Sequence, residues 1–275
     1  MAAEPVASRN ERAAVLYPER ARDRVAIGRG AVPDELAELV DYAWWVAWSL
    51  QGTHRQQVIP RPVVHLAVEV VDGEPRALVH GIHLRMFERR LSGTGSTVAL
   101  AFRPGGFRPF LRGPASALRG REVPAAEVLG VDDRAVAARA LAAPPEDGAA
   151  VLAEWLADLP RERDPRVPRL AALVERVAVD RSLVRAEQLA ELAGVTLRTL
   201  ERQFADCVGV GPKWVLQRAR LLDVAEAANS GGDVDWSALA AELGYADQSH
   251  LIRHFTALVG CPPATYAARA RASGP

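Results

Sequence analysis

Residues 189–204 (LAELAGVTLRTLERQF) are echoed about fifty residues later by residues 239–255 (LAAELGYADQSHLIRHF). Each copy reads as a short apolar helix, a glycine turn at Gly194 or Gly244, and a second helix carrying an arginine two residues before a phenylalanine. That is the layout of a helix-turn-helix, in which the first helix braces a second that can enter the major groove of DNA. A chain holding two copies must build two small helical cores, and it can offer two grooves a reading helix each.

The two second helices separate cleanly into an inner and an outer face. In the first copy Thr196 is the expected N-cap. Turning about 100° per residue then gathers Leu197, Leu200, Phe204, Cys207 and Val208 on one stripe and leaves Arg198, Thr199, Arg202 and Asp206 on the other. In the second copy Asp247 is the expected cap, Leu251, Phe255, Leu258 and Val259 form the stripe, and Gln248, Ser249, His250 and Arg253 face outward. Arginine pairs with guanine and glutamine with adenine through two hydrogen bonds each, so these faces carry side chains suited to base edges. A helix expected over 212–229 would join the copies and set their separation near one DNA turn, about 34 Å. The competing reading is a helical bundle with a solvated outer face; the duplication of turn, anchors and arginine weighs against it.

At 275 residues the chain is long enough for two domains of ordinary size. Its 34 basic and 34 acidic residues balance, and the part after Arg169 holds eleven basic and twelve acidic ones. DNA binding would therefore rest on a local basic stripe rather than on overall charge. Cys207 and Cys261 stand in apolar surroundings without metal-ligand spacing, as buried reduced thiols do. Residues 1–14 are polar and charged rather than a secretory leader. The most apolar run, residues 42–48 (YAWWVAW), is too short to span a bilayer and reads as a buried strand. A cytoplasmic protein with no membrane partner is expected.

Between residues 24 and 121 the texture is that of β structure, with strand-like runs at 44–50, 57–59, 63–71, 77–80, 86–91 and 96–102. Turns are expected at 72–75 (DGEP) and 92–95 (SGTG), and the stretch 103–110 is too rich in proline and glycine for a strand. Helices follow at 132–142 and 146–159, a linker at 160–165, and seven helices near 167–179, 185–192, 196–208, 212–229, 235–243, 247–258 and 263–271. His54, His65, His80 and His83 raise the question of a metal centre. His80-Gly-Ile-His83 is only a weak pair, and histidines of a core or surface are the simpler reading, so no metal, cofactor or catalytic residue is expected. Trp44, Trp45 and Trp48 suit a plain core role ahead of an effector pocket, and Arg103 and Arg108 are candidates to receive an acidic effector.

These residues closely resemble the AraC/XylS family of bacterial transcription regulators over about residues 168–272. The resemblance is carried by residues 189–195 (LAELAGV), 198–204 (RTLERQF), 208–215 (VGVGPKWV), 244–250 (GYADQSH) and 259–266 (VGCPPATY), the last with Pro262 where the family usually has Ser. It implies a monomeric domain of two helix-turn-helix units joined by a linker helix and bound to two successive major grooves. Its base-reading positions fall on Arg198, Thr199 and Arg202, and on Gln248, Ser249, Ile252 and Arg253. The helical wheel puts Ile252 at the edge of the apolar stripe, whereas Thr196 and His250 join the outward set. Lys213, Arg218 and Arg220 are expected in phosphate contact or structural pairing. The N-terminal half resembles the cupin-like sensor domain of one AraC subgroup through Trp48, residues 57–60 (QVIP), 79–81 (VHG), 93–96 (GTGS) and 102–107 (FRPGGF).

The expectation is thus an α+β protein. A small cupin-like β-barrel for sensing or assembly spans 1–130, a helical linker region 131–164, and an all-α tandem helix-turn-helix domain 165–275. It would act as a sequence-specific transcriptional regulator modulated by its N-terminal domain, not as an enzyme. The alternative is a barrel enzyme with an accessory DNA-targeting domain. The expected partners are double-stranded promoter DNA, RNA polymerase, a small-molecule effector and a second copy of the chain.

Overall fold

The structure, a computed structural model, describes residues 15–16, 25–230 and 232–272; the polar segment 1–14 lies outside the described residues. The N-terminal part is one antiparallel sheet of β1 (Val15–Leu16), β2 (Val25–Gly30), β3 (Val40–Val58), β4 (His65–Val71), β5 (Glu74–His80), β6 (Phe87–Phe102) and β7 (Glu122–Pro124). The strands pair in the order β1-β3-β6-β4-β5-β7, with β2 also on β3. A short helix, α1 (Ala125–Leu129), follows β7. Strand periodicity gives the sheet two different faces. Leu66, Val68, Val98, Leu100 and Phe102 point one way, into a core with α2 (Arg134–Ala142) and α3 (Pro145–Ala157). Ala67, Glu69, Phe87, Arg89 and Leu91 point the other way, into a cavity of about 300 Å³ that Val25 and Ile27 of β2 also line.

Two pairs of expected strands prove to be single long ones. β3 runs through the residues between 50 and 57, and β6 runs through Ser92-Gly93-Thr94-Gly95, which is not a turn. The glycines there answer two local demands. The register of β3 on β6 shifts between Leu50 and Thr53, opposite Gly93, whose φ of 60° is the conformation a bulge needs. Gly95 lies beneath the Trp48 ring, and a Cβ there would stand 2.6 Å from it. Strand glycine thus marks close approach rather than reversal. The turn at Asp72-Gly73 is present as expected, with φ of 51° at Asp72 and 84° at Gly73. Those left-handed values are the ones a tight hairpin requires.

The helices α4 (Arg166–Val179), α5 (Ala186–Ala193), α6 (Leu197–Gln203), α7 (Pro212–Asn229), α8 (Trp236–Glu242), α9 (Gln248–Val259) and α10 (Pro263–Arg271) follow the seven expected from periodicity. The expected helix 196–208 changes character at its end, since Phe204–Val208 is a π-helical turn. Two cores form around α7. Its first half supplies Val215 and Leu216 to the core of α4, α5 and α6. Its second half supplies Leu221, Leu222, Val224, Ala225 and Ala228 to the core of α8, α9 and α10. The N-terminal part enters both cores, Ile82 the first and Leu16 and Ile59 the second. No helix among the described residues is long and apolar enough to cross a membrane.

Candidate nucleic-acid interface

The two turns that aim the reading helices are built alike. Gly194 and Gly244 are both left-handed, with φ of 64° and 68°. After each, the next amide reaches back five residues, Val195 N–H to the Ala190 carbonyl (3.1 Å) and Tyr245 N–H to the Ala240 carbonyl (2.9 Å). That bond closes a Schellman-type C-cap and stops the bracing helix at a fixed angle. Both expected N-caps are present. Thr196 Oγ1 accepts from Thr199 N–H at 3.2 Å, and an Asp247 carboxylate oxygen accepts from His250 N–H at 2.7 Å.

The outward faces stand where the wheel puts them except at Asp206, which lies in the π-helical turn, half-buried and paired with Arg108 and Arg166. Thr196, Arg198 and Arg202 are exposed while Thr199 is half-buried under its bond to the cap. Leu200, Phe204 and Cys207 are buried beneath them. In α9, Gln248, Ser249, His250 and Arg253 are exposed, Leu251 and Phe255 are fully buried, and Ile252 is half-buried against the second core. His250 stands edge-on to Tyr245, with ring centroids 5.3 Å apart, and the Tyr245 hydroxyl meets His254 Nδ1 at 2.9 Å. Burial pushes the Tyr245 hydroxyl far up, so it stays protonated.

The three basic residues of α7 divide. Lys213 is exposed at the start of the helix. Arg218 is 5% exposed, lies 4.5 Å over the Trp214 ring and donates to the Leu84 carbonyl at 2.9 Å. Burial pushes its guanidinium down to about 10. Arg220 donates to the Val184 carbonyl at 2.6 Å and sits near the Tyr245 ring. Both arginines are thus engaged inside the protein, Arg218 against the N-terminal part and Arg220 within the DNA-binding half.

Sequence reasoning did not single out the residues that lock this half together. Arg181, in the α4–α5 connection, pairs with Asp223 of α7 at 3.1 Å and with Glu242 of α8. One guanidinium therefore ties the first unit to the second. The π-helical turn is held from the N-terminal side, where Arg119 donates to the Gly209 carbonyl at 3.0 Å and Arg108 meets Asp206 at 3.3 Å. Arg103 pairs with Glu175 of α4 at 2.9 Å. Both arginines considered for an acidic effector thus make ion pairs across the molecule. Their acidic partners lie far along the chain, so nothing in the local pattern marks them.

In the N-terminal part, Trp45 packs on the helix-covered core, whereas Trp44 and Trp48 line the cavity with Tyr42 and Phe87. Trp44 Nε1–H donates to His65 Nδ1 at 3.3 Å. At one end of the cavity, His80 Nε2 lies 3.3 Å from Glu69 and His80 Nδ1 lies 3.6 Å from Glu122. Burial alone would push His80 down, but its hydrogen bonds and charge interactions with Glu122 and Glu69 outweigh that and lift it to about 9. Burial likewise opposes ionisation of Glu69, yet His80 and Arg89 hold its carboxyl below the usual range. His83 is pushed down by burial.

Parts of the chain match known families and solved structures. Residues 189–269 match the family described as Helix-turn-helix domain, and residues 32–124 match a Domain of unknown function (DUF6597). No curated protein matches the chain. Among solved structures, the DNA-binding domain of AdpA, the global transcriptional factor, in complex with a target DNA is 27% identical. That match covers 40% of this chain and 96% of the AdpA domain with a TM-score of 0.33. ToxT from Vibrio cholerae is 8% identical over 89% of this chain and 97% of its own, with a TM-score of 0.38. ToxT of strain SCE256 bound to an unsaturated fatty acid is 11% identical over 89% and 93%, with a TM-score of 0.34. A matched helix-turn-helix family spans both capped, arginine-bearing helices and the rod between them. The chain is a DNA-binding transcriptional regulator with a helix-turn-helix domain over residues 189–269.

Proposed function

We propose that α6 and α9 enter successive major grooves on one face of a promoter. Arg198, Thr199, Arg202, Gln248, Ser249, His250 and Arg253 then reach bases or flanking phosphates, with Thr196 and Lys213 at the edges of the contact. The observation that carries this reading is the pair of N-capped helices with exposed arginines, each seated in a core built on the same helix α7. That helix has 18 residues. At the rise of an α-helix it is about 27 Å long, so the units set at its two ends have to reach only a few ångströms further to span the ~34 Å pitch of B-DNA. Arg181 stiffens the pair against hinging. The direct test is selection of bound duplexes from a random pool with the full chain. It should return two short sequence elements about 10 base pairs apart, centre to centre. A single element, or no enrichment, would refute the reading.

The N-terminal domain supplies the regulation in this reading. A cavity walled by Val25, Trp44, Val46, Trp48, Phe87 and Leu91 suits a small, largely apolar effector, as ligand pockets are mostly apolar with a few polar groups. The loop at its polar end, residues 81–86, reaches straight into the DNA-binding half. Ile82 is buried in the first core, the Leu84 carbonyl takes Arg218, and Met86 packs on the second core. An occupant pressing on His83 or Phe87 would shift this loop and with it both units. Thermal-shift screening of apolar metabolites should find compounds that raise the melting temperature and lose that effect in Trp48→Arg. If a broad panel stabilises both proteins equally, the cavity is not the effector site.

A further inference from the structure

At the polar end of the cavity three side chains converge, of which the local sequence pattern joins only the weak pair His80 and His83. His80 ends β5, His83 follows three residues later in the loop, and Glu122 opens β7. The β5–β7 pairing makes Glu122 the register partner of His80 and so brings in a carboxylate from a distant part of the sequence. One donor atom of each lies within 4.8 Å of the other two. His80 Nδ1 is 3.6 Å and His83 Nε2 is 3.9 Å from the same oxygen, Glu122 Oε1. Ligand atoms held about 2.1 Å from a tetrahedral ion stand about 3.4 Å apart, so each histidine lies within about half an ångström of that spacing from Glu122, and the two rings would close on each other by at most about 1.4 Å.

Two further observations point the same way. His83 Nε2, like His80 Nε2, is buried with no hydrogen-bond partner among the described residues, a costly state for a ring nitrogen unless something else takes it up. The other nitrogen of His80 faces Glu69 at 3.3 Å, and Arg89 holds the second oxygen of that carboxylate. A carboxylate on the far nitrogen is the outer-shell partner that metal-binding histidines almost always have, since it fixes their tautomer and orientation. A metal on Nδ1 would leave Nε2 facing the Glu69 carboxylate across that 3.3 Å contact.

We propose that His80, His83 and Glu122 form a binding site for a divalent first-row transition ion of the zinc type, with Glu69 as the positioning residue behind His80. Two imidazoles and one carboxylate are a borderline donor set, which suits zinc and its neighbours rather than magnesium or calcium. Both histidines also line the cavity, so the fourth coordination position opens towards whatever occupies it. The site stands apart from the DNA-reading proposal: it is judged by metal binding alone.

The test is calorimetric titration of chelator-stripped full-length protein with zinc chloride, with native mass spectrometry for stoichiometry. One equivalent should bind. His83→Ala and Glu122→Gln should each weaken binding about tenfold or more, and Glu69→Gln should do so while leaving the stoichiometry at one. Cys207→Ser, which dismantles the other grouping of metal-binding side chains (Asp164, Asp206 and Cys207), should change nothing. Cobalt(II) loading gives a second readout, intense visible bands of a four-coordinate ion that vanish in Glu122→Gln. The proposal is overturned if the stripped wild-type protein binds no zinc, if His83→Ala and Glu122→Gln bind as well as wild type, or if only Cys207→Ser loses the ion.

Discussion

The outward residues of α6 and α9 owe their exposure to what lies one turn beneath them. Leu200 and Phe204 in one helix, and Leu251 and Phe255 in the other, are fully buried, so Arg202 and Arg253, two positions before each phenylalanine, have nowhere to go but solvent. Arg198→Ala and Arg253→Ala should each relax base preference in its own half of the DNA site. Each should cost about 1–3 kcal/mol at the cognate base, measured by competition binding against single-base variants of the selected duplex. Uniform weakening over all variants would reassign that arginine to a phosphate. These positions were legible in the sequence because helical periodicity and capping chemistry act over three or four residues. The partners of Arg218 and Arg220 were not, because the Leu84 and Val184 carbonyls belong to distant segments. Glu122 escaped notice for the same reason, since only the pairing of β5 with β7 shows its relation to His80.

Among the elements, helices were the more readable. The capping residues Thr196 and Asp247 and the left-handed Gly194 and Gly244 announce where α6 and α9 begin and where the helices before them end. The π-helical turn at Phe204–Val208 carries no such mark; it arises where Arg108, Arg119 and Ala115 press on the end of α6 from the N-terminal part. The expected strands fell in the right places, but β3 and β6 were each cut in two, and β1, β2 and β7 were not among them. Glycine in Ser92-Gly93-Thr94-Gly95 signals a turn by composition, yet across the sheet Trp48 needs a neighbour without a side chain. A sequence read one strand at a time has no access to the strand opposite. The helices at 134–142 and 145–157, expected between domains, have Ala137, Ala140, Leu152 and Leu156 fully buried against the sheet. Their apolar stripes were visible, but the surface they would cover was not.

At the scale of the whole molecule, the two halves are fastened at several separate points. Arg103, Arg108, Arg119 and Arg218 each bridge from one to the other, and Leu16, Ile59 and Ile82 sit inside the cores of the DNA-binding half. The division into a β-rich N-terminal part and a helical DNA-binding part was legible from the sequence; this intimacy was not, because it depends on carbonyls and apolar side chains spread over the whole chain. In the proposed function, contacts of this kind carry an event in the cavity to α6 and α9, provided that α7 holds both at a fixed separation. That rigidity is the central claim. Hydroxyl-radical footprinting of the full chain on its selected duplex tests it most directly. The account predicts two protected patches on one face of the DNA, centred about one helical turn apart, with Arg253→Ala weakening one patch and leaving the other. One continuous patch, or patches on opposite faces, would contradict it.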